Sequence, residues 1–476
     1  MNWKKLIPVI LFITALILAT VYLNEGLFHY DAIVLAQAVE KTYETKMLQP
    51  AINGRYGSVI LSSLFYLPFW LFGKNADLAV RLTSAFFYAL SIASFYVFLS
   101  EYMNSKLIAT YASILFLTAP IYLSPNTYGK EHGMALAFFF LSLIFIVHSK
   151  QKNWFYTASA ISLIISLSIR EAILALIPIY LIILWQQEKS FKTKFLYCFL
   201  PFCILFLIMT YSYFSFIITK TLFPTQVGTA YFHFSFKLIK KAFKAIWMTT
   251  PILTICAALL GILIGLNNSK IILKIKLFTF WLIYTFFVYS NNSTFTPRYL
   301  DTTISALCVF AGIGISTIHK KQKYLGVVLG IGLAVWGFLL IEPVLAYRHQ
   351  YNGPMHFGKY IENITNNNDI IIAQDDSAFI TYYGNRTSIG LPIGNINETK
   401  KFIAEIQEKI KNKTDVYLTQ TAFVYDPGEI NQKIIPQSFK VAKRFVVETE
   451  ASHLADIEFY KYKHVISKLK LRNETV

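Results

Sequence analysis

The chain has 476 residues, of which 55% are hydrophobic and only 15% charged, with 41 Phe and 30 Tyr. A soluble domain carries about 25% charged residues, so this composition excludes an ordinary soluble protein and indicates a polytopic membrane protein. The net charge of +18 is uneven: the stretch from Pro343 to Val476 holds 17 basic and 15 acidic residues, so the excess lies among the apolar runs, where it sets orientation and meets anionic lipid. No basic patch on a matching fold supports nucleic-acid binding.

The first apolar run, Leu6 to Leu23, follows Lys4-Lys5 and at 1.5 Å per residue is long enough to cross a bilayer. It lacks a small-residue cleavage pattern before Asn24-Glu25 and reads as a retained anchor. Directly after it comes Leu27-Phe28-His29-Tyr30-Asp31. Further spans are expected at 78–99, 107–124, 133–149, 154–169, 172–186, 195–218, 246–266, 277–290, 299–317 and 324–342, making about eleven transmembrane helices. The run from Ser58 to Phe72 is ambiguous; read as an interfacial helix, it sorts the loops into two classes.

One class is short and carries lysine: Lys4-Lys5, Lys106, Lys150 with Lys152, Lys189 with Lys192 and Lys194, Lys270 with Lys274 and Lys276, and Lys320, Lys321 and Lys323. These are expected on the cytoplasmic face, with the N-terminus. The extracytoplasmic class holds the 24–77 loop, the Ser124–His132 turn, the Lys220–Lys244 loop, the Asn291–Arg298 loop and the tail. In the Lys220–Lys244 region, Phe234, Phe236, Leu238, Ile239, Phe243 and Ile246 stand among lysines, the pattern of an amphipathic interfacial helix, with a solvated loop as the alternative.

From about Tyr347 the chain turns polar and Asn-rich. Asp369 to Ala373 is an apolar run of strand length, Thr399 to Lys411 has helical spacing with Thr399 as a cap, and Asp415 to Thr419 reads as the next strand, giving a β-α-β unit. Phe439–Glu448 and Ile457–Tyr462 are expected to add antiparallel strands. No G-x-G-x-x-G or P-loop occurs, so this domain is expected to pack or to recognise an acceptor rather than bind a nucleotide. Sequons at Asn363, Asn385, Asn397, Asn412 and Asn473 fit an extracytoplasmic face, although an Asn- and Thr-rich stretch generates them by chance. The four cysteines, Cys198, Cys203, Cys256 and Cys308, fall in apolar spans and read as packing residues.

Charge recurs at span ends that this topology puts on one face: Asp31, Lys130-Glu131-His132, Arg170-Glu171 and Arg298. A carboxylate at a membrane exit is costly unless it faces water, a partner or a substrate. Arginines there can hold a phosphate by bidentate hydrogen bonds, and a carboxylate can take the proton of an attacking hydroxyl. Transport sites more typically place charge near the midplane on broken helices, and the predicted spans carry none there, which favours surface chemistry over a transporter or lipid flippase. His29 and Glu131, with His132, are the candidates for a divalent metal, which nothing in the sequence requires and no compact ligand motif supports. Each residue also has a plainer reading: Asp31, Glu131 and His132 as helix caps, Arg170-Glu171 as a local ion pair, Arg298 as a headgroup anchor.

The order of features resembles the GT-C superfamily of polyprenyl-phosphate-sugar glycosyltransferases, in particular the branch of protein O-mannosyltransferases and the lipid A aminoarabinose transferase. The features are one span, an Asp in a long first outer loop, Phe72-Gly73 followed by Ala79-Val80-Arg81-Leu82-Thr83-Ser84-Ala85, and later Pro297-Arg298-Tyr299-Leu300. Two departures stand out. Ala32 replaces the acid that usually follows the family's Asp, and Gly54-Arg55-Tyr56-Gly57 stands where a His-Pro-Pro or Lys-Pro-Pro is frequent. The resemblance implies an all-α polytopic membrane bundle over residues 1–345 and leaves 346–476 as an extracytoplasmic α/β domain. It implies Asp31 as catalytic base, Glu131 for acceptor or metal positioning, and Arg298 with Tyr299 against the donor phosphate. His132, Arg170 and Lys130 join them on charge and sidedness. A lipid-phosphate-linked sugar, an acceptor hydroxyl on protein, lipid or glycan, and membrane lipids are the implied partners. A lipid-diphosphate oligosaccharide transferase, a transporter and an inactive scaffold are the alternatives. The implied location is the cell membrane, or the endoplasmic reticulum in a eukaryote.

Overall fold

The computed structural model describes residues 6–51, 55–73, 75–209, 234–269, 271–291, 296–374, 376–423, 429–448 and 463–472. The apolar runs are helices, the conformation that satisfies every backbone N–H and C=O within the segment where water is absent. In chain order these are α1 (Ile7–Val21), α2 (Tyr30–Thr45), α3 (Tyr56–Phe72), α4 (Ala76–Tyr102), α5 (Lys106–Leu117), α6 (Pro120–Thr127), α7 (His132–His148), α8 (Trp154–Ile169) and α9 (Ile177–Trp185). Then follow α10 (Phe191–Met209), α11 (Phe236–Thr249), α12 (Ile252–Leu266), α13 (Ile272–Ser290), α14 (Asp301–Lys321) and α15 (Lys323–Gln350).

Among the described residues, five helices are long and apolar enough to cross a membrane, or seven if each bent pair is one span; α1, α3, α7, α8 and the stretch Glu171–Trp185 are shorter apolar helices. Two of the eleven expected spans are broken, and proline is the cause in each. The run at 107–124 bends by 55° between α5 and α6, where Ala119 takes an extended conformation before Pro120. The run at 246–266 is cut at Thr250, extended before Pro251, and α11 and α12 meet at 107°. The amphipathic pattern around Phe234–Ile246 is therefore a helix of its own that reaches Thr249, and the apolar helix begins only at Ile252. Residues 210–218 of another expected span, and 220–233 of the loop after it, lie outside the described residues.

Contacts divide the chain into two units: Met1–Leu23 with Ala38–Arg348, and Asn24–Gln37 with His349–Val476. Residues 24–37, expected with the membrane domain, thus group with the tail.

In the first unit α4 packs against α1, α3, α5, α6 and α7. Small polar residues allow this, since Thr83, Ser84, Ser91 and Ser94 are all buried. Each of the first three finds a partner, Thr83 bonding the Ala79 carbonyl, Ser84 the Lys130 carbonyl and Ser91 the Tyr122 hydroxyl. α12 and α14 approach through glycine. A Cβ on Gly261 would lie 1.9 Å from the Phe310 carbonyl oxygen, and one on Gly314 would lie 2.2 Å from that of Ala257.

The second unit is built on a mixed five-stranded sheet of β1 (Ile370–Ile372), β2 (Ser388–Ile389), β3 (Val416–Thr419), β4 (Phe439–Glu448) and β5 (Lys463–Leu471), in spatial order β2-β1-β3-β5-β4. β1 and β3 are parallel, as a β-α-β unit requires, and β5 runs antiparallel to both β3 and β4. One face packs Ile403 and Ile406 of α18 (Ile396–Lys411) and Ile435 of α19 (Ile430–Ser438). The other packs Phe357 and Ile361 of α16 (Gly353–Ile364) and Ile380 of α17 (Ser377–Tyr383). Asn395, not Thr399, caps α18, accepting from the Asn397 and Glu398 amides at 3.0 and 3.3 Å. Thr399 is buried and donates to Asn431 instead. The expected last strand at Ile457–Tyr462 lies outside the described residues, and the strand that pairs with β4 is Lys463–Leu471.

Candidate active site

In the first unit the site begins at the α6–α7 turn. Gly129 adopts φ +91°, a conformation side chains disfavour, and the Lys130 amide donates back to the Pro125 carbonyl. Asn126 Oδ1 accepts from the Gly133 amide at 2.8 Å while its Nδ2 donates to the Tyr122 carbonyl at 2.7 Å. Gly133 sits so close to α4 that a Cβ there would lie 2.7 Å from the Tyr88 nitrogen. The turn is thereby pinned, with Lys130, Glu131 and His132 all buried.

Glu131 Oε1 accepts from Arg55 Nη1 at 2.6 Å. The same guanidinium grips Glu171 with both remaining nitrogens, Nε to Oε2 at 2.8 Å and Nη2 to Oε1 at 2.6 Å. Arg55 precedes α3, whose first turn presses on the end of α8: a Cβ on Gly57 would lie 2.3 Å from Ser168 Oγ. That close approach brings Arg55 within reach of two acids on different loops.

Arg170 and Glu171 are sequence neighbours with different partners. Arg170 Nη1 lies 2.5 Å from His132 Nδ1 and 3.5 Å from Asp301 Oδ2, and His132 Nδ1 lies 2.6 Å from the same oxygen. Nδ1 has either one hydrogen to give or one lone pair to offer, so it cannot bond both groups. With its hydrogen on Nδ1, His132 donates to Asp301 and Arg170 pairs with the carboxylate; with it on Nε2, Nδ1 accepts from Arg170. Asp301 opens α14, and its Oδ1 accepts from the Thr302 amide at 2.7 Å. Just before it, the 3-10 turn Pro297–Leu300 carries Arg298 and Tyr299. The guanidinium carbons of Arg170 and Arg298 lie over the Tyr299 ring, 5.3 and 5.6 Å from its centre. A small recess is lined by His132, Arg170, Ala172, Tyr289, Asp301 and Thr302.

Of the residues expected from sequence, Glu131 thus meets Arg55, His132 and Arg170 meet Asp301, and Arg298 shares the Tyr299 ring with Arg170, while Lys130 is buried in the turn that carries Glu131 and His132. Arg55, Asp301 and Tyr289 escaped the sequence reading. Asp301 had a signal, being an acid at a span end three residues after Arg298; Arg55 had one in the loop that departs from the family pattern.

Asp31 belongs to the second unit, in the first turn of α2. Its side chain is half-buried; its amide donates to His29 Nδ1 at 3.2 Å, and its Oδ1 lies 3.7 Å from that nitrogen. A ring nitrogen that accepts from an amide keeps its proton on Nε2, so His29 acts here as a cap. Among the described residues, no three of His, Cys, Asp or Glu gather to hold a metal ion.

Solved structures share this fold over nearly the whole chain. ArnT from Cupriavidus metallidurans, bound to undecaprenyl phosphate, superposes with a TM-score of 0.63 at 12% identity, covering 97% of both chains. The Archaeoglobus fulgidus oligosaccharyltransferase, tethered to an acceptor peptide, gives 0.57 at 12% identity over 94% of this chain and 73% of that one. The arabinofuranosyltransferase AftD from Mycobacteria gives 0.54 at 10% identity, with 99% of this chain matching 40% of that one. No protein-family model and no curated protein matches the sequence. At such identities the likeness shows the fold alone: the chain shares the overall fold of these structures, and among its described residues are helices long and apolar enough to cross a membrane.

Proposed function

We propose that the chain is an inverting membrane glycosyltransferase that moves a monosaccharide from a polyprenyl-phosphate donor to an acceptor hydroxyl on a protein, lipid or glycan at the extracytoplasmic face. The observation that carries this reading is the pair of arginines, Arg170 and Arg298, sharing the Tyr299 ring beside the Asp301–His132 pair, on a fold whose solved examples include one bound to undecaprenyl phosphate. Two planar guanidiniums held in place can bind a lipid phosphate bidentately, and Lys130 adds a further positive charge. His132 and Glu131 are proposed to position the acceptor.

Asp31 is proposed as the base. It takes the hydroxyl proton as the acceptor oxygen bonds the anomeric carbon; the bond from that carbon to the phosphate oxygen breaks, and the lipid phosphate leaves with the electron pair. Attack opposite the leaving group inverts the centre. Lipid phosphate is itself a good leaving group, so no nucleotide and no obligatory cofactor is needed.

The test offers purified protein in lipid nanodiscs a panel of labelled undecaprenyl- and dolichyl-phosphate monosaccharides, wild type and Asp31→Asn side by side. A general base contributes about 10²–10⁴-fold, so the variant is expected to lose transfer by that factor while melting at the same temperature. If folded wild type consumes no donor, the reading fails, and labelled counterflow without a covalent product would identify a transporter.

A further inference from the structure

The tail domain lies far along the chain from Asp31, yet the segment leading into Asp31 is bonded to it. The Leu27 amide donates to the Tyr383 hydroxyl at 2.7 Å, and the Leu27 carbonyl accepts from Asn352 Nδ2 at 3.2 Å. Leu27 is fully buried, so these bonds stand in for water at both of its main-chain polar atoms. Asn352 is fixed in turn: its Oδ1 caps α16 by accepting from the Met355 amide at 3.1 Å, and its own amide donates to Glu25 Oε2 at 2.9 Å. Glu25 also meets His356 Nε2 at 3.1 Å, and the His356 ring stacks on Tyr351 with centres 4.5 Å apart. Between them Gly26 fits against the tail without a side chain: a Cβ would lie 2.9 Å from Tyr383 Oη and 3.1 Å from Asn352 Nδ2. From Leu27 the rigid path is short, since the His29 carbonyl accepts the first α2 amides, from Ala32 and Ile33, and the His29 ring takes the Asp31 amide.

We infer that the tail domain clamps the main chain of Leu27 through Tyr383 and Asn352 and so holds the Asp31 carboxylate in position, which makes both of them positioning residues. This assigns the tail a role in the reaction and rests on Asp31 being the base. No local sequence preference produces the clamp, because the bonded residues are 325 and 356 positions apart. An enzyme whose base sits on a loop needs that loop fixed, as a displacement of about 1 Å can cost about a hundredfold in rate.

The experiment compares wild type, Tyr383→Phe, Gly26→Ala and Asp31→Asn as full-length protein in nanodiscs. Tyr383→Phe keeps the ring and removes the hydroxyl that accepts from the Leu27 amide. Hydrogen exchange over residues 24–33 is expected to speed up about tenfold, the equivalent of one net hydrogen bond, with exchange elsewhere unchanged. With whichever donor of the panel wild type consumes, kcat is expected to fall about ten- to a hundredfold while the donor KM stays put. Unchanged exchange in a folded Tyr383→Phe protein overturns the clamp, and faster exchange with full kcat overturns the positioning role. If Gly26→Ala fails to fold, Tyr383→Phe decides alone. Full transfer by Asp31→Asn would instead remove the base assignment, and no transfer by wild type the function itself, each with the exchange result intact.

Discussion

Arg55→Leu tests the ionic node most sharply, because one guanidinium serves two carboxylates in different surroundings. The Glu131 side chain is 5% exposed and the Glu171 side chain 52% exposed. Removing one member of a buried pair costs about 3–5 kcal/mol, since the other charge is stranded in low dielectric. An exposed pair is worth about 0–1 kcal/mol. Nearly the whole loss in Arg55→Leu should therefore come from Glu131, at about 3–5 kcal/mol. Adding Glu131→Gln removes the stranded charge and should recover most of that loss, whereas Glu171→Gln, at the half-exposed end, should cost less than Arg55→Leu. Thermal unfolding in nanodiscs at one scan rate gives the ranking. The reasoning is refuted if Arg55→Leu with Glu131→Gln melts no higher than Arg55→Leu, or if Glu171→Gln is as costly as Arg55→Leu.

Helix contact through glycine predicts a contrast among three substitutions. Gly261→Ala and Gly314→Ala put a methyl 1.9 and 2.2 Å from carbonyl oxygens of the facing helix and should each cost about 1–3 kcal/mol, whereas Gly332→Ala meets nothing within 4 Å and should be neutral or stabilising by up to about 1 kcal/mol. Arg298→Leu should weaken donor binding, seen as a raised donor KM in the transfer assay, more than Lys at that position, which keeps the charge and loses the bidentate fork. In the tail, a hydrogen bond to Asp415 raises the Lys468 pKa above its ordinary value. The pair's stabilisation is thus present below the unfolded pKa of lysine and lost as pH rises through the folded one. Both side chains are about a third exposed, so Lys468→Met should cost about 1 kcal/mol or less at neutral pH, and nothing once the pH has passed the folded pKa.

Much of the architecture was legible from local pattern. Apolar runs become helices wherever backbone groups must bond internally, so α4, α7, α8 and α14 fall where hydropathy puts them. Strand alternation and charge placed β1, β3 and β4 and the helix between the first two. Acids and bases at span ends singled out Lys130, Glu131, His132, Arg170 and Arg298 as candidates, because a charge beside an apolar run is costly unless something meets it. The breaks at Ala119 and Thr250 were visible only as single prolines, and a proline in a hydrophobic run does not announce the bend it will make.

Who meets each charge was a matter for the fold alone. Arg55 finds Glu131 and Glu171 at separations of 76 and 116 residues, and His132 finds Asp301 at 169. Neither Gly57 against α8 nor Gly133 against α4 has a signature in the sequence, yet these close approaches bring the charged loops together. The segment before Asp31 reads as an ordinary outer loop, and in the fold its bonds to Asn352, His356 and Tyr383 join it to the tail. Composition and periodicity act over a few residues and so set the helices, the strands and the chemistry available at their ends. Pairing is decided by which surfaces pack, and that depends on contacts hundreds of residues apart.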